Sequence, residues 1–190
     1  MRRKTFDIFF EPSQGLAALV KQPSLWRSGF YFTISVGLFA GVITNTWLVA
    51  QPLDVRLAIV LGTVLVMATV LIIYGLLLHG IMEAFGALAG DAQGLICLLG
   101  YTTLPFLLLT PEALLVVKMG IRGLPYLGVL LLIGSIWTLC LLVLSLEAVY
   151  LVDWFRSAVA VLFSLLLLYI VLVLPLQMLY LLLMRSLGWN

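Results

Sequence analysis

Four polar side chains interrupt an apolar stretch of the chain: His79, Glu83, Asp91 and Tyr101. We call these residues the polar cluster. His79 and Glu83 are four residues apart, so on a helix they share a face, and the carboxylate favours a charged imidazole. An imidazole, carboxylates and a phenol can all accept or release protons. If they converge near one surface, they would suit a relay for protons or cations.

Two interpretations of the polar cluster are open. Ionisable side chains inside a membrane are costly, and where they occur they often serve a function. These residues, however, fall at the ends of long apolar stretches, where interfacial water reaches them and the cost is small. Their placement favours polar groups that are only interfacial over a working relay.

The sequence does not indicate metal or catalytic chemistry. The single histidine and the two distant cysteines, Cys97 and Cys140, lack the paired spacing of tetrahedral zinc ligands. Neither an HExxH nor a GxSxG motif is present. We therefore expect no metal site, no cofactor and no enzymatic activity.

The composition of the chain sets the environment of these residues. Of the 190 residues, 64% are apolar and 9% are charged, whereas soluble domains carry about 25% charged residues. Such a chain cannot build a water-soluble surface and is predicted to be an integral membrane protein. Its net charge of +2 argues against a nucleic-acid partner. The expected partners are the lipid bilayer, and other membrane proteins or further copies of the chain in a homo-oligomer.

Five apolar stretches are long enough to cross a bilayer, since a spanning helix needs about 20 residues. The predicted fold is an all-α bundle of five transmembrane helices, which forms a domain over residues 29–190. The spans are predicted at about 29–50, 57–82, 92–110, 124–146 and 157–184. Thr110, Pro111 and Glu112 form a helix-start pattern. This pattern predicts that the third span stops near Thr110 and that a short helix follows on the membrane surface, ending near Gly120.

Residues 1–28 form a separate cytoplasmic or interfacial segment. Ser13 is a candidate helix cap after Pro12, and the apolar pattern that follows predicts a short helix that ends at Pro23. This helix is too short to span and is expected to lie in the headgroup region, the alternative being an ordinary loop. The predicted interfacial anchors are Lys21, Trp26 and Arg27.

The distribution of lysine and arginine predicts the orientation. Five basic residues precede the first span, and only Arg56 lies in the link that follows it. Because basic segments stay in the cytoplasm, the N-terminus is predicted to be cytoplasmic. Five spans then place the C-terminus on the opposite side of the plasma membrane.

Glycines and prolines indicate where helices approach each other or bend. Small residues at four-residue spacing allow close helix packing, within the bundle or between copies; they occur at Gly86, Gly90 and Gly94. Proline removes a backbone donor and bends a helix. Bends are predicted at Gly100 and Pro105 in the third span and at Pro175 in the fifth. A static kink and a moving hinge both fit this pattern, and the static kink is favoured.

Two stretches of the sequence have a distinctive order of features. "FDIFFEPSQGLAALVKQPSLW" runs from an aromatic stretch into a proline-containing amphipathic segment. "HGIMEAFGALAGDAQGLICLLGYTTLP" combines a histidine-bearing helix end and a glycine-containing turn with Gly100, Tyr101 and Pro105. In this order the features resemble the Yip domain family, the Ypt-interacting proteins of the Golgi and their prokaryotic relatives. The compact chain resembles a prokaryotic member.

The resemblance implies a five-helix membrane protein with a cytoplasmic N-terminus, which acts through protein partners. The chain lacks the long N-terminal region and the Asp-Leu-Tyr-Gly-Pro segment of eukaryotic members, so small GTPase binding is not carried over to it. The predicted function is a non-enzymatic membrane scaffold that binds partners or organises the bilayer. The alternative is a small transporter or channel for ions, protons or solutes that uses the region of His79, Glu83 and Tyr101.

Overall fold

The computed structural model describes residue 8 and residues 10–48, 50–175 and 177–178. Within this part of the chain the helices are α1 (Pro12–Val20), α2 (Leu25–Trp47), α3 (Leu53–Ala84), α4 (Ala92–Tyr101), α5 (Leu104–Lys118), α6 (Leu124–Tyr150) and α7 (Trp154–Leu168). A 3-10 turn at Gly120–Gly123 precedes α6, and a π-helical turn at Tyr169–Val173 follows α7. The predictions of an all-α fold and of a short N-terminal helix are confirmed.

Five helical segments of the described chain are long and apolar enough to cross a membrane, which confirms the predicted number of spans. They are Leu25–Asn45, Leu53–Ala84, Ala92–Lys118, Leu124–Tyr150 and Trp154–Val171. The first begins earlier than expected because the Ser24 side chain caps α2 by accepting a hydrogen bond from the backbone N–H of Arg27, at 3.4 Å. The third span combines α4 and α5.

The prediction that a separate short helix begins at Thr110, Pro111 and Glu112 is wrong. Helix α5 continues from Leu104 through Thr110 and Pro111 to Lys118. The Thr110 hydroxyl donates a hydrogen bond to the Phe106 carbonyl, at 2.7 Å, instead of capping a new helix. An internal proline costs about 3 kcal/mol, but each backbone group left unpaired in hydrocarbon costs several. Continuing the helix is therefore cheaper than ending it.

The third span is broken earlier, at Thr102 and Thr103 between α4 and α5. The two hydroxyls donate hydrogen bonds to the carbonyls of Leu99, at 2.7 Å, and Gly100, at 2.9 Å. Pro105 follows in the first turn of α5, where its missing N–H is tolerated best. The Leu99 carbonyl also accepts a hydrogen bond from the backbone N–H of Thr102, at 3.1 Å, so the hydroxyls add side-chain hydrogen bonds to the carbonyls at the break.

Helix α1 begins differently from the prediction. Its N-cap is Glu11 and Pro12 occupies the first turn, so Ser13 lies inside the helix and does not cap it. Leu16 and Leu19 are buried, because α1 packs against α6 and α4. The apolar face of this helix is therefore covered by protein and not by lipid.

The fifth span begins at α7, where the Asp153 carboxylate accepts a hydrogen bond from the backbone N–H of Arg156, at 3.3 Å. The π-helical turn at Tyr169–Val173 lies just ahead of Pro175, in the region where a bend is predicted. Such turns accommodate a local disruption of the helical ladder. The predicted end of this span near residue 184, and the C-terminus, lie outside the described residues.

The spans close into a ring. Helix α2 packs against α3 and α5, α3 packs against α7, α7 against α6, and α6 against α5. Helix α4 lies within the ring, where it contacts α2, α3 and α6. We call the end of the ring that carries α1 the α1 end; α3 and α6 finish there, and α4 and α7 begin there. The main hydrophobic core includes Leu16, Leu78, Met82, Leu95, Leu146 and Tyr150.

Candidate functional site

The two nitrogens of the His79 imidazole both have partners at the α1 end. Nε2 lies 3.3 Å from the Glu83 Oε1 atom, and Nδ1 lies 2.5 Å from the hydroxyl oxygen of Tyr150. In the neutral imidazole, Nε2–H donates to the carboxylate while Nδ1 accepts the phenolic proton. The side chains of His79 and Glu83 are 21% and 55% exposed, so this group lies at the boundary of the bundle.

Tyr150 is a site residue that the sequence analysis missed. It is the last residue of α6 and its side chain is buried. Its ring packs directly on Gly90, where any added Cβ would overlap the ring atoms. Gly90 therefore lets the link between α3 and α4 close over the tyrosine. The sequence did offer a signal, which is a tyrosine just beyond the predicted span at 124–146.

Asp91 has a structural partner of its own. It is the N-cap of α4, and its carboxylate accepts a hydrogen bond from the backbone N–H of Gly94, at 2.5 Å. Such a cap stabilises a helix start by about 1 kcal/mol. Asp91 thus sets the residue at which the third span begins.

Tyr101 lies deeper in the bundle, where its ring centroid is 5.5 Å from that of Tyr31. Gly75 of α3 faces Leu99 of α4. His79 lies one turn from Gly75 toward the α1 end, whereas Tyr101 lies beyond Leu99 in the opposite direction. At about 1.5 Å per residue, these offsets separate His79 and Tyr101 by roughly 9 Å along the bundle. The structure brings His79, Glu83 and Tyr150 together and leaves Tyr101 outside that group.

Gly100 has a packing role. A Cβ at this position would lie 2.9 Å from the backbone oxygen of Ser28 and closer still to its hydroxyl. Only a glycine lets α4 approach the first turn of α2 to this distance. Pro105 is buried in the first turn of α5. These two motif residues shape the third span on either side of its break.

The three predicted anchors are exposed at the α1 end: Lys21, Trp26 and Arg27. Further exposed aromatic side chains lie before α1 and at the starts of α2 and α7. We call the aromatic members of this set the aromatic rim: Phe10, Trp26, Phe30, Trp154 and Phe155. Aromatic side chains of this kind are enriched where a membrane protein meets the headgroup layer.

A cavity of about 580 Å³ lies inside the ring. Its wall comes from all five spans and contains apolar and hydroxyl side chains, without a charged residue. None of the polar cluster residues lines it. The ionisable groups and the cavity are therefore separate features of the molecule.

The described residues also bear on metal binding. They contain no group of three or more histidine, cysteine, aspartate or glutamate side chains placed to hold an ion. In this part of the chain Cys97 is buried, Cys140 is exposed, and both are free thiols. Among the described residues, the polar partners of His79 are Tyr150 and Glu83 and not a cysteine.

The five apolar spans and the ring that they form define a multi-pass membrane protein. A scan against protein-family models matches the Yip1 domain over residues 6–174. The match covers most of the chain, so the chain belongs to the Yip1 domain family and the resemblance is confirmed. This family consists generally of non-enzymatic membrane proteins. Searches of the curated proteins and of the solved structures find no significant match.

Proposed function

We propose that the protein is a non-enzymatic membrane scaffold that binds partner proteins or organises the bilayer at its α1 end. One observation carries the proposal: the ionisable side chains are separated from the cavity. His79 pairs with Glu83 through one ring nitrogen and with Tyr150 through the other, and the cavity wall has no charged residue. A charge that crosses hydrocarbon needs compensating polar groups, and this wall offers only neutral hydroxyls.

The α1 end has the features of a preformed binding platform. Ile8, Leu16 and Leu19 are buried, so the N-terminal segment is fixed on the bundle. The aromatic rim surrounds this docked helix with large exposed side chains. Exposed aromatic residues are enriched in protein interfaces as well as at the headgroup layer. Partner binding at the rim is therefore the role that this end supports best.

Site-specific crosslinking in native membranes tests the scaffold proposal. A photoreactive amino acid is placed at Trp154 in the aromatic rim, and a matched control carries it at Leu65, an exposed residue in the middle of α3. We expect a discrete protein adduct from position 154 and only lipid adducts from position 65. Lipid adducts alone at both positions would contradict partner binding and leave only the bilayer-organising form of the proposal.

The proposal includes a cytoplasmic α1 end in the plasma membrane. Lys21 and Arg27 are exposed there, and cytoplasmic segments are rich in basic residues. Ser24→Cys and Gln51→Cys, in a background without Cys97 and Cys140, test this orientation with a membrane-impermeant maleimide on intact cells; Gln51 is exposed in the link between α2 and α3, at the end opposite α1. We expect labelling at position 51 and protection at position 24. The reverse pattern would overturn the orientation without affecting the scaffold role.

The alternative function, a small transporter or channel, is tested by flux into liposomes. We expect no flux of protons or small ions under an imposed gradient, because Tyr101 is packed against Tyr31 and His79 lies outside the cavity wall. A flux that is present in the wild type and lost in Glu83→Gln would replace the scaffold proposal with the transport alternative.

A further inference from the structure

The cavity inside the ring plays no part in the proposed scaffold role. Its volume of about 580 Å³ falls within the range of about 300–1,000 Å³ that is usual for small-molecule sites. An apolar cavity of about 150 Å³ is already large enough to bind benzene. Because all five spans contribute to the wall, a partner helix that packs on the outside of the bundle would not fill it.

The hydroxyl groups of the wall are largely committed to the protein itself. Thr63 donates a hydrogen bond to the Ile59 carbonyl, at 2.8 Å, and Thr102 and Thr103 donate to carbonyls of α4. The Tyr74 hydroxyl is paired with Ser164, at 2.9 Å. The Thr138 hydroxyl is the exception, since it is buried in the described structure without a hydrogen-bond partner. With one unpaired hydroxyl and no charge present, the rest of the wall offers mainly dispersion contacts. Such a wall selects a hydrocarbon ligand over a polar one.

The cavity is open at the depth of the membrane. Met67 and Leu131 belong to its wall, yet they remain 49% and 38% exposed in the described structure. Met67 lies close to the middle of the span Leu53–Ala84. An opening at that depth faces the hydrocarbon layer, which is about 30 Å thick. The nearest molecules to the opening are therefore the acyl chains of membrane lipids.

We propose that this cavity binds an acyl chain of a membrane phospholipid, which enters beside Met67. Water is a poor occupant of most of this space, because most of the wall is apolar and the hydroxyls of Thr63, Thr102 and Thr103 are hydrogen-bonded within the protein. An empty cavity would forfeit dispersion contacts along its whole wall. An acyl chain restores those contacts without crossing an aqueous layer. This site is independent of the partner-binding surface at the α1 end.

Photolabelling with a modified phospholipid tests the site. The full chain is reconstituted into vesicles of phosphatidylethanolamine and phosphatidylglycerol that contain phosphatidylethanolamine with a diazirine in the middle of one acyl chain. Adducts are mapped by mass spectrometry after illumination. We expect adducts on wall residues such as Phe106 and Leu142, in addition to the outer surface of the bundle.

A matched pair of variants separates binding from incidental labelling. Val36→Trp fills the cavity from α2, whereas Leu38→Trp adds the same side chain on the exposed face of the same helix. We expect the wall adducts to fall several-fold in Val36→Trp and to stay at the wild-type level in Leu38→Trp. Labelling confined to the outer surface, or wall labelling that Val36→Trp leaves unchanged, would overturn the proposal.

A second approach covers the case in which Val36→Trp fails to fold. Ala40→Leu narrows the same wall with a smaller change of volume and is expected to lower wall labelling to an intermediate level. In addition, p-benzoylphenylalanine in place of Phe106 should crosslink to lipid. A crosslink from this position to a second protein chain would show that protein, and not an acyl chain, occupies the cavity.

Discussion

The α1 end and the hollow middle of the ring are built in opposite ways. At the α1 end, Met82, Leu95 and Leu146 are fully buried by neighbouring helices and by α1. Around the cavity, Met67 and Leu131 remain partly exposed although they belong to the same two helices, α3 and α6. The same helices are thus tightly packed at one end and separated along the cavity.

Small residues mark close helix contacts in both regions. Lipid is as apolar as leucine, so hydrocarbon side chains alone do not drive helices together. At the α1 end, Gly90 and Gly100 allow close contacts with Tyr150 and Ser28, respectively. Beside the cavity, Gly75 allows a close contact with the wall residue Leu99. The rest of the wall consists mostly of large apolar residues, and between them the spans leave a space.

Tyr150→Ala is expected to have the largest effect on the α1 end. It removes a buried ring that fills the space over Gly90, and comparable truncations of buried aromatic residues cost about 3 to 5 kcal/mol. The matched control is Tyr126→Ala, near the other end of α6, where the side chain is 57% exposed. Reversible unfolding in mixed micelles measures both variants. Equal losses would show that the two ends of α6 do not differ in packing.

Two methionines on α3 compare the regions directly. Met82 is fully buried at the α1 end, whereas Met67 lines the cavity. We expect Met82→Ala to lower the free energy of unfolding by about 2 kcal/mol or more, and Met67→Ala to change it by about 0.5 kcal/mol or less. The same unfolding titration checks the pair. If Met67→Ala lowers the free energy of unfolding as much as Met82→Ala does, the cavity wall is tightly packed in the micelle.

Gly100→Ala tests whether close approach of backbones closes the α1 end. The new Cβ would lie 2.9 Å from the backbone oxygen of Ser28, and overpacking of this kind costs about 1 to 3 kcal/mol. Gly80→Ala is the control, because no atom outside its own helix backbone lies within 4 Å of the added Cβ. We expect a clear loss of thermal stability for the first variant and none for the second. A stable Gly100→Ala protein would remove this explanation.

Much of the fold follows from hydropathy, because about 20 apolar residues in bilayer have few alternatives to a helix. The contact of His79 with Glu83 also follows from helical spacing. The partner Tyr150 does not, since it is 71 residues from His79 and spacing does not specify which spans become neighbours. The pattern at Thr110 and Pro111 is misleading, because the Thr110 hydroxyl bonds back to the Phe106 carbonyl within one continuous helix and does not cap a new one.

The cavity is likewise beyond the reach of sequence patterns. It depends on five spans at once and on the break at Thr102 and Thr103, which separates α4 inside the ring from α5 in its wall. Taken alone, each wall residue is of a type that is common at lipid-facing or core positions. Only the arrangement of the spans makes the space between them a site.

The smallest predicted effect concerns the hydrogen bond between Tyr150 and His79. Tyr150→Phe keeps the ring on Gly90 but removes the hydroxyl that lies 2.5 Å from Nδ1 of the imidazole. We expect a loss of about 1 kcal/mol, measured against Tyr126→Phe. In a double-mutant cycle with His79→Ala, the two changes should couple by about 0.5 kcal/mol or more. Strict additivity would mean that the ring of Tyr150, and not its hydrogen bond to His79, stabilises the α1 end.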